Sequence, residues 1–280
     1  MIGFIGSGQM ARALATGFIQ QGRLLGAEIC FTNPGDTNAD AFLQAAPGAR
    51  RLASAELVVR EAAQVWVAVK PQIIRGVLEP LASAFRSEQV LVSVAAGVTL
   101  GSLEKWTRHE KIVRVSPSTP AVVGQGISIL SHSAAVTEIE TDHVRSLLQT
   151  VGSAWEVPER LIDPISGLTS CGPAFVMTII EALSDGAVRA GVPRHLANPL
   201  VLELLSGSIA LVQKTGLHPA QLREQVASPA GSTIEGLVAL EEGGLRAALI
   251  NAVSSSSRRA GELGKLAMAD DPATSQGSGG

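Results

Sequence analysis

Two stretches of this chain carry residues whose types and spacing could do chemistry. The first is Ser228-Pro229-Ala230-Gly231-Ser232-Thr233, a hydroxyl- and glycine-bearing turn ahead of the apolar helical run Ile234–Leu240. Backbone N–H groups at such a helix start can hold an anion such as a carboxylate. The Thr233 hydroxyl can hold a ring nitrogen. The same residues would also serve as a plain Ser/Thr-rich helix cap that binds nothing. The second stretch is Gly6-Ser7-Gly8-Gln9-Met10-Ala11, which matches G-x-G-x-x-G/A. Gly6 permits a tight turn, Gly8 leaves room for backbone to approach a pyrophosphate, and Ala11 lets a helix pack close to a strand. A glycine-rich turn without a ligand is the alternative. The flanks favour the dinucleotide reading, because the motif requires a strand before it and a helix after it.

The elements that would position these residues read as follows. Met1–Ile5 is an apolar run of strand length, and Met10, Leu14 and Phe18 repeat on one helical face after the glycines. Ala27–Thr32 is a second strand, ending in the turn Thr32-Asn33-Pro34-Gly35. An acidic residue at that point would hold a ribose 2′-OH. Asn33 stands near it, with Asp36 a few residues on, and an uncharged strand end tolerates a 2′-phosphate. Asn33 serves turn capping equally well. Val65–Val69 is a continuous apolar strand running into Lys70-Pro71, and strand carboxyl ends are where open α/β sheets bind ligands. That position favours Lys70 as a cofactor contact over a solvated loop lysine. Ile74 to Phe85 marks a helix. Val90–Val94 is a strand ending in Ala95-Ala96-Gly97, small enough for a flat ring or ribose to approach. Thr99 caps a short helix, and Thr137-x-x-Glu140 is a capping box. Ile112–Val115, Gly126–Leu130 and Ser153–Val157 complete the strands, with Ser116–Pro120 expected as a fixed Pro-rich loop.

After Pro158 strand-like runs stop and long helical ones begin. The expected organisation is α/β: residues 1–160 a dinucleotide-binding domain with a mostly parallel sheet, 161–267 an all-helical domain, and 268–280 a disordered Ser/Gly-rich tail. The helical half is apolar enough to bury surface against a second copy as well as itself.

Composition narrows the function. The 280 residues are 46% hydrophobic and carry a formal net charge of −3, which leaves no electrostatic footprint for nucleic acid or an anionic membrane. The uncharged runs Val115–Thr137 and Pro164–Ile180 are interrupted by Pro, Gly and Ser, so no membrane span is expected. Two cysteines, Cys30 and Cys171, fit a reducing, cytoplasmic setting, and no basic leader precedes the first strand. The five histidines show no metal-ligand spacing, and no metal is expected. The chain has no tyrosine, which excludes tyrosine-dependent carbonyl reduction. Neither a Cys/His pair nor a Ser-His-Asp arrangement can be assembled. Hydride transfer from a nicotinamide to an iminium carbon needs neither, since the acceptor is already electrophilic and positioning carries the work.

Taken in order, several blocks resemble the pyrroline-5-carboxylate reductase family over Gly3 to about Leu263. They are Gly3–Ala11, Ala68-Val69-Lys70-Pro71-Gln72, Ser93–Thr99, Arg114–Ala121, Gly167–Ala174 and, most specific, Val226–Ile234. The resemblance implies an N-terminal Rossmann domain and a C-terminal helical dimerisation domain that interleaves with its partner. It implies NADPH as cofactor, with NADH the alternative, and reduction of 1-pyrroline-5-carboxylate to L-proline. A homodimer is implied, with a decamer of five dimers as the further assembly. Cofactor-binding residues by this likeness are Ile5, Gly6, Ser7, Gly8, Gln9, Met10, Ala11, Asn33 at the 2′-phosphate, Ala68, Val69, Lys70, Pro71, Ala95, Ala96 and Gln225. Ser228, Gly231, Ser232 and Thr233 would hold substrate, with the Thr233 hydroxyl on the imine nitrogen as the catalytic contact. The chain departs from the family pattern at Ser116, often Met; at Ser118, often Asn; at Ala230, often Gly; and at Thr169-Ser170-Cys171, often Ser-Gly-Ser. Ala55 stands where an Asn near the adenosine phosphate is common. The alternatives are a related reductase acting on another cyclic imine or a 2-hydroxy acid, and a cofactor sensor without catalysis.

Overall fold

The computed structural model describes residues 1–269, with side chains through residue 262. The strands are β1 (Ile2–Ile5), β2 (Ile29–Thr32), β3 (Arg50–Arg51), β4 (Gln64–Val67), β5 (Val90–Ser93), β6 (Ile112–Pro117), β7 (Gly126–His132) and β8 (Gly152–Glu156). Between them run α1 (Gln9–Gln20), α2 (Asp36–Ala45), α3 (Ala55–Glu61), α4 (Pro71–Leu78), α5 (Leu100–Thr107) and α6 (Glu138–Leu148). After the last strand come α7 (Ile162–Thr169), α8 (Gly172–Arg189), α9 (Arg194–Thr215), α10 (Pro219–Val226), α11 (Ser232–Glu242) and α12 (Leu245–Ala269).

The eight strands form one sheet in the order β3-β2-β1-β4-β5-β6-β7-β8. Every pairing is parallel except β6 with β7. That exception follows from connection length. A parallel return needs a crossover of about a dozen residues, whereas β6 and β7 are joined only by a short 3-10 turn over Thr119–Val123. The chain leaves β1 towards β2 and β3, then crosses back to place β4 on the other side of β1. The order therefore reverses beside β1, and the crevice at its carboxyl end is where such sheets bind ligands.

The parallel strands are buried on both faces, as their unbroken apolar runs demand. One face packs Phe4, Phe18, Phe31, Phe42 and Trp66 into a single aromatic cluster with α1 and α2, with ring centroids 4.3–6.3 Å apart. The other buries Ile5, Val65, Val67 and Leu91 under α3, α4 and α5. The predicted caps are present. The Thr99 hydroxyl accepts from the Ser102 N–H, and Thr137 closes a reciprocal box with Glu140. Ser116 and Pro117, expected in a loop, are instead the last two residues of β6, opposite Ile129 and Ser128 of β7. Pro117 is tolerated because β5 pairs β6 only as far as Arg114, so no neighbour on that side asks for its N–H.

Packing divides the chain into two units, Met1–Cys171 with Ser255–Gly280, and Gly172–Ser254. The change of pattern near residue 160 thus precedes the packing boundary. The reason is α7, which stays with the sheet: Arg114 on β6 pairs with Glu159 (3.2 Å) and with Asp163. The second part of α12 rejoins this first unit, where Ser257 Oγ donates to the Pro164 carbonyl at 3.0 Å. The tail expected from residue 268 lies outside the described residues, apart from Met268 and Ala269 at the end of α12.

The second unit is helical. Here the apolar run Asn198–Thr215 predicts a helix, and α9 begins four residues earlier at Arg194, because the Leu196 and Ala197 N–H groups already bond the Pro193 carbonyl. Pro199 therefore falls inside the helix. Leu200, Leu204 and Leu211 of α9 are exposed. The helical stretches Glu159–Arg189 and Arg194–Thr215 are long and apolar enough to cross a membrane by length and composition alone. The first contains the run Pro164–Ile180, expected to be too broken for that. Pro164 and Pro173 sit in the first turns of α7 and α8, where a missing N–H costs nothing.

Candidate active site

The fingerprint loop joins β1 to α1 at the reversal of strand order. Gly6 has φ +96°, and a Cβ there would lie 2.8 Å from the Ala68 carbonyl oxygen. Only glycine meets both conditions. A Cβ on Gly8 would meet nothing within 4 Å, so the space beside it is open cleft rather than protein. Gly8 caps α1 through its backbone alone, and the first turn of α1 holds no acidic residue. The helix N–H groups and the positive dipole end are thus left for an anion.

Ile5, Gly6, Ser7, Gly8, Asn33, Ala68, Val69 and Lys70 line one cleft of about 540 Å3. It is closed on the far side by Asn38, Ala53, Ser54 and Ala55, which sequence reasoning did not select as contacts. The Ser7 hydroxyl is fully buried and has no hydrogen-bond partner among the described residues, a state that a bound polar ligand would relieve. Pro71 is the first residue of α4, and Lys70 its uncapped N-cap. Asn33 proves to be a stitch. Its Oδ1 accepts from the Ser7 N–H at 3.4 Å and its Nδ2 donates to the Gly35 carbonyl at 2.8 Å.

A second, mostly apolar cavity of about 510 Å3 opens at the ends of β5 and β6. Met10 and Ala96 line it with Gly97, Ser116, Pro117, Ser166, Ser170 and Cys171, and with Ser255, Ser256, Arg259 and Ala260 of α12. Gly8 lines one cavity and Met10 the other, so the first turn of α1 divides them. Gln9 is exposed on that turn, while Ala11 and Ala95 are buried behind it. Two residues that depart from the family pattern touch here: Ser116 Oγ and Ser170 Oγ are 3.2 Å apart, and Ser166 Oγ lies 2.6 Å from Ser116 Oγ. A hydroxyl cluster thus replaces the bulk that a methionine would supply. Its signal was the pair of departures; their contact was not visible until β6 was seen to extend through Pro117.

Gln225, Ser228, Gly231, Ser232 and Thr233 belong to the second unit, around the turn from α10 to α11. Gly231 is the N-cap of α11, without a side-chain cap, so this helix start also offers free N–H groups. Its N–H donates to the Ser228 carbonyl at 3.1 Å. Ala230 has φ +55°, a left-handed conformation that glycine adopts without strain. Thr233 is half-buried, whereas Gln225, Ser228 and Ser232 are exposed. No group of three His, Cys, Asp or Glu among the described residues could hold a metal. Cys171 is an exposed free thiol. Cys30 is buried, and burial pushes its thiol up to about 11.

A mostly parallel sheet with a glycine turn at its switch point, an uncapped helix start and an open cleft beside it define a dinucleotide-binding protein. Residues 1–97 match the family described as NADP oxidoreductase, coenzyme F420-dependent, and residues 159–263 match pyrroline-5-carboxylate reductase dimerisation. Pyrroline-5-carboxylate reductase from Pisum sativum is 39% identical over 262 residues, covering 94% of this chain and 95% of its own. The crystal structure of Plasmodium falciparum pyrroline carboxylate reductase with NADP bound superposes with a TM-score of 0.86, at 30% identity over 94% of this chain and 97% of that one. The Coxiella burnetii pyrroline-5-carboxylate reductase structure gives 0.83, at 32% identity over the same shares. The chain belongs to the pyrroline-5-carboxylate reductase family. It is an NAD(P)H-dependent oxidoreductase whose helical part is a dimerisation domain.

Proposed function

We propose that the protein reduces 1-pyrroline-5-carboxylate to L-proline with NADPH. The observation that carries this is the pairing, in one chain of this family, of the glycine-lined cleft with a second uncapped helix start preceded by Ser228 and followed by Thr233. The coenzyme supplies a hydride to the carbon of the substrate's C=N bond. The chain's own residues bind and orient. The start of α1 holds the pyrophosphate, while Ala68–Pro71, Ala95 and Ala96 flank the ribose and nicotinamide. The N–H groups at the start of α11 hold the substrate carboxylate. Ser228, Gly231 and Ser232 shape that seat. The Thr233 hydroxyl donates to the neutral imine nitrogen, which holds the imine carbon in place for hydride, and the nitrogen takes up a proton from solvent by way of that hydroxyl, so that imine, hydride and proton give the amine. Gln225 is assigned to the nicotinamide by the family likeness alone.

The exposed leucines of α9 support a homodimer in which a second copy covers them, with five dimers closing into a decamer. A cytoplasmic location is proposed, and the two free cysteines support a reducing compartment.

The test is substrate-dependent oxidation of NADPH by purified protein beside Thr233→Ala. Wild-type turnover is expected, with kcat reduced about tenfold to a hundredfold in the variant, the worth of one hydrogen bond to a developing charge. No turnover with either nicotinamide coenzyme would overturn the assignment. Unchanged kinetics in the variant would remove only the role of Thr233.

A further inference from the structure

Arg51 lies on the short edge strand β3, opposite Phe31 of β2, a register that sets it beside the carboxyl end of β2. Its Nη2 donates to the Asn33 carbonyl at 3.1 Å, and its Nη1 pairs with Asp36 Oδ1 at 2.8 Å. Arg12, on α1, reaches Asn38 Oδ1 at 3.4 Å. Asp36 and Asn38 both stand in the first turn of α2. Two guanidinium groups from separate elements therefore converge on the place where a dinucleotide fold discriminates between a ribose hydroxyl and a ribose phosphate. Asn33 is partly committed, its Oδ1 to the Ser7 N–H and one Nδ2 hydrogen to the Gly35 carbonyl, which leaves a single neutral donor for a ligand. Ala55, on the facing wall, has no polar group to offer.

We propose that Arg51 is the residue that selects a coenzyme bearing a 2′-phosphate, and that Asp36 is its counter-ion until the phosphate arrives. The inference rests on the coenzyme reading above. Asp36 is 82% exposed, so its pair with Arg51 is a surface ion pair of small worth. A phosphate dianion at the same guanidinium forms shorter, stronger, charge-assisted hydrogen bonds. The exchange therefore favours the phosphate. The backbone carbonyl of Asn33, a residue of the cleft wall, holds the guanidinium beside the turn after β2 while its partner changes. Arg12 adds a second cation beside Asn38.

The experiment measures binding of adenosine 2′,5′-bisphosphate and of AMP to the full chain by calorimetry, with NADPH and NADH kinetics alongside. Arg51→Gln is expected to weaken the bisphosphate about tenfold or more, to leave AMP within about twofold, and to raise KM for NADPH with little change in kcat. Arg51→Lys keeps the charge without the fork and falls between. Asp36→Asn is expected to tighten the bisphosphate severalfold. An equal loss for both ligands in Arg51→Gln would show a merely structural arginine and overturn the proposal. So would an unchanged bisphosphate affinity. Loss of AMP affinity in Asp36→Asn would overturn it in favour of Asp36 holding the ribose hydroxyl. If the ligands discriminate as expected while 1-pyrroline-5-carboxylate is not reduced, the substrate reading fails and the assignment of Arg51 stands.

Discussion

Gly6 and Gly8 sit two residues apart and fail differently when changed. A Cβ at Gly6 meets the Ala68 carbonyl and demands a backbone angle that side chains resist. Gly6→Ala is therefore expected to lose both stability and coenzyme binding. A Cβ at Gly8 meets nothing in the protein. Gly8→Val is expected to unfold at the same denaturant concentration as wild type yet fail to bind coenzyme. Denaturation followed by circular dichroism, and coenzyme titration, separate the two. Ala230 is the opposite case, a side chain where the backbone favours none. Ala230→Gly relieves a left-handed alanine that costs about 1–2 kcal/mol, offset in part by the greater entropy of an unfolded glycine. A gain of about 0.5–1 kcal/mol in urea unfolding is expected, and a loss would show that the conformation carries no strain. The jobs of the fingerprint residues could be read in the sequence because each is local, set by its neighbours in the chain. The work of Arg51 could not, since it depends on a two-residue strand pairing with β2 from twenty positions away.

Among the elements, those announced by caps and periodicity appeared where the chain marked them, as at Thr99 and Thr137. Thr137→Ala is expected to cost about 1 kcal/mol, the usual worth of a threonine cap. The helices α2 and α3 were not anticipated. Each is short, and its large apolar residues are adjacent, Phe42-Leu43 in α2 and Leu57-Val58-Val59 in α3, rather than spaced at a helical repeat. The join between β6 and α7 rests on Arg114, which is 2% exposed and bound to Glu159 and Asp163. Arg114→Met leaves two carboxylates facing each other without their cation. They remain partly solvated, so the expected loss is about 1–3 kcal/mol rather than that of a fully buried pair. Ser116 and Ser166 should also part, which raises KM for substrate or coenzyme more than the stability loss alone would. His109 makes the fold sensitive to acid. Its ring Nε2–H donates to the Gln89 carbonyl at 2.8 Å and the ring stacks on Phe85, and burial holds its pKa below the ordinary 6.5. The unfolded chain then takes up a proton that the folded one refuses, so stability is full above about pH 6.5 and falls as the pH drops below it. A plot of unfolding free energy against pH should lose that slope in His109→Gln.

For the molecule as a whole, the helical unit is the part whose apolar surface is not accounted for within one chain. Leu200, Leu204 and Leu211 repeat along one side of α9 and stand about half exposed. A charge there should matter only if another copy covers it. Leu204→Asp is expected to convert the sedimenting species from oligomer to monomer and to abolish turnover, while the far-ultraviolet helix signal is kept. An unchanged sedimentation coefficient would place the interface elsewhere. The all-helical character of this half, and its excess of apolar surface, were plain from the sequence. Where the chain turns back was not, because α12 has no break at the point where it leaves one unit for the other.

That return has a bearing on synthesis. All eight strands and the entire glycine turn emerge from the ribosome within the first 156 residues, yet one wall of the chamber at the ends of β5 and β6 is made by Ser255–Ala260. A nascent chain can fold its sheet early, but it must wait for nearly the last hundred residues before that chamber has its final side.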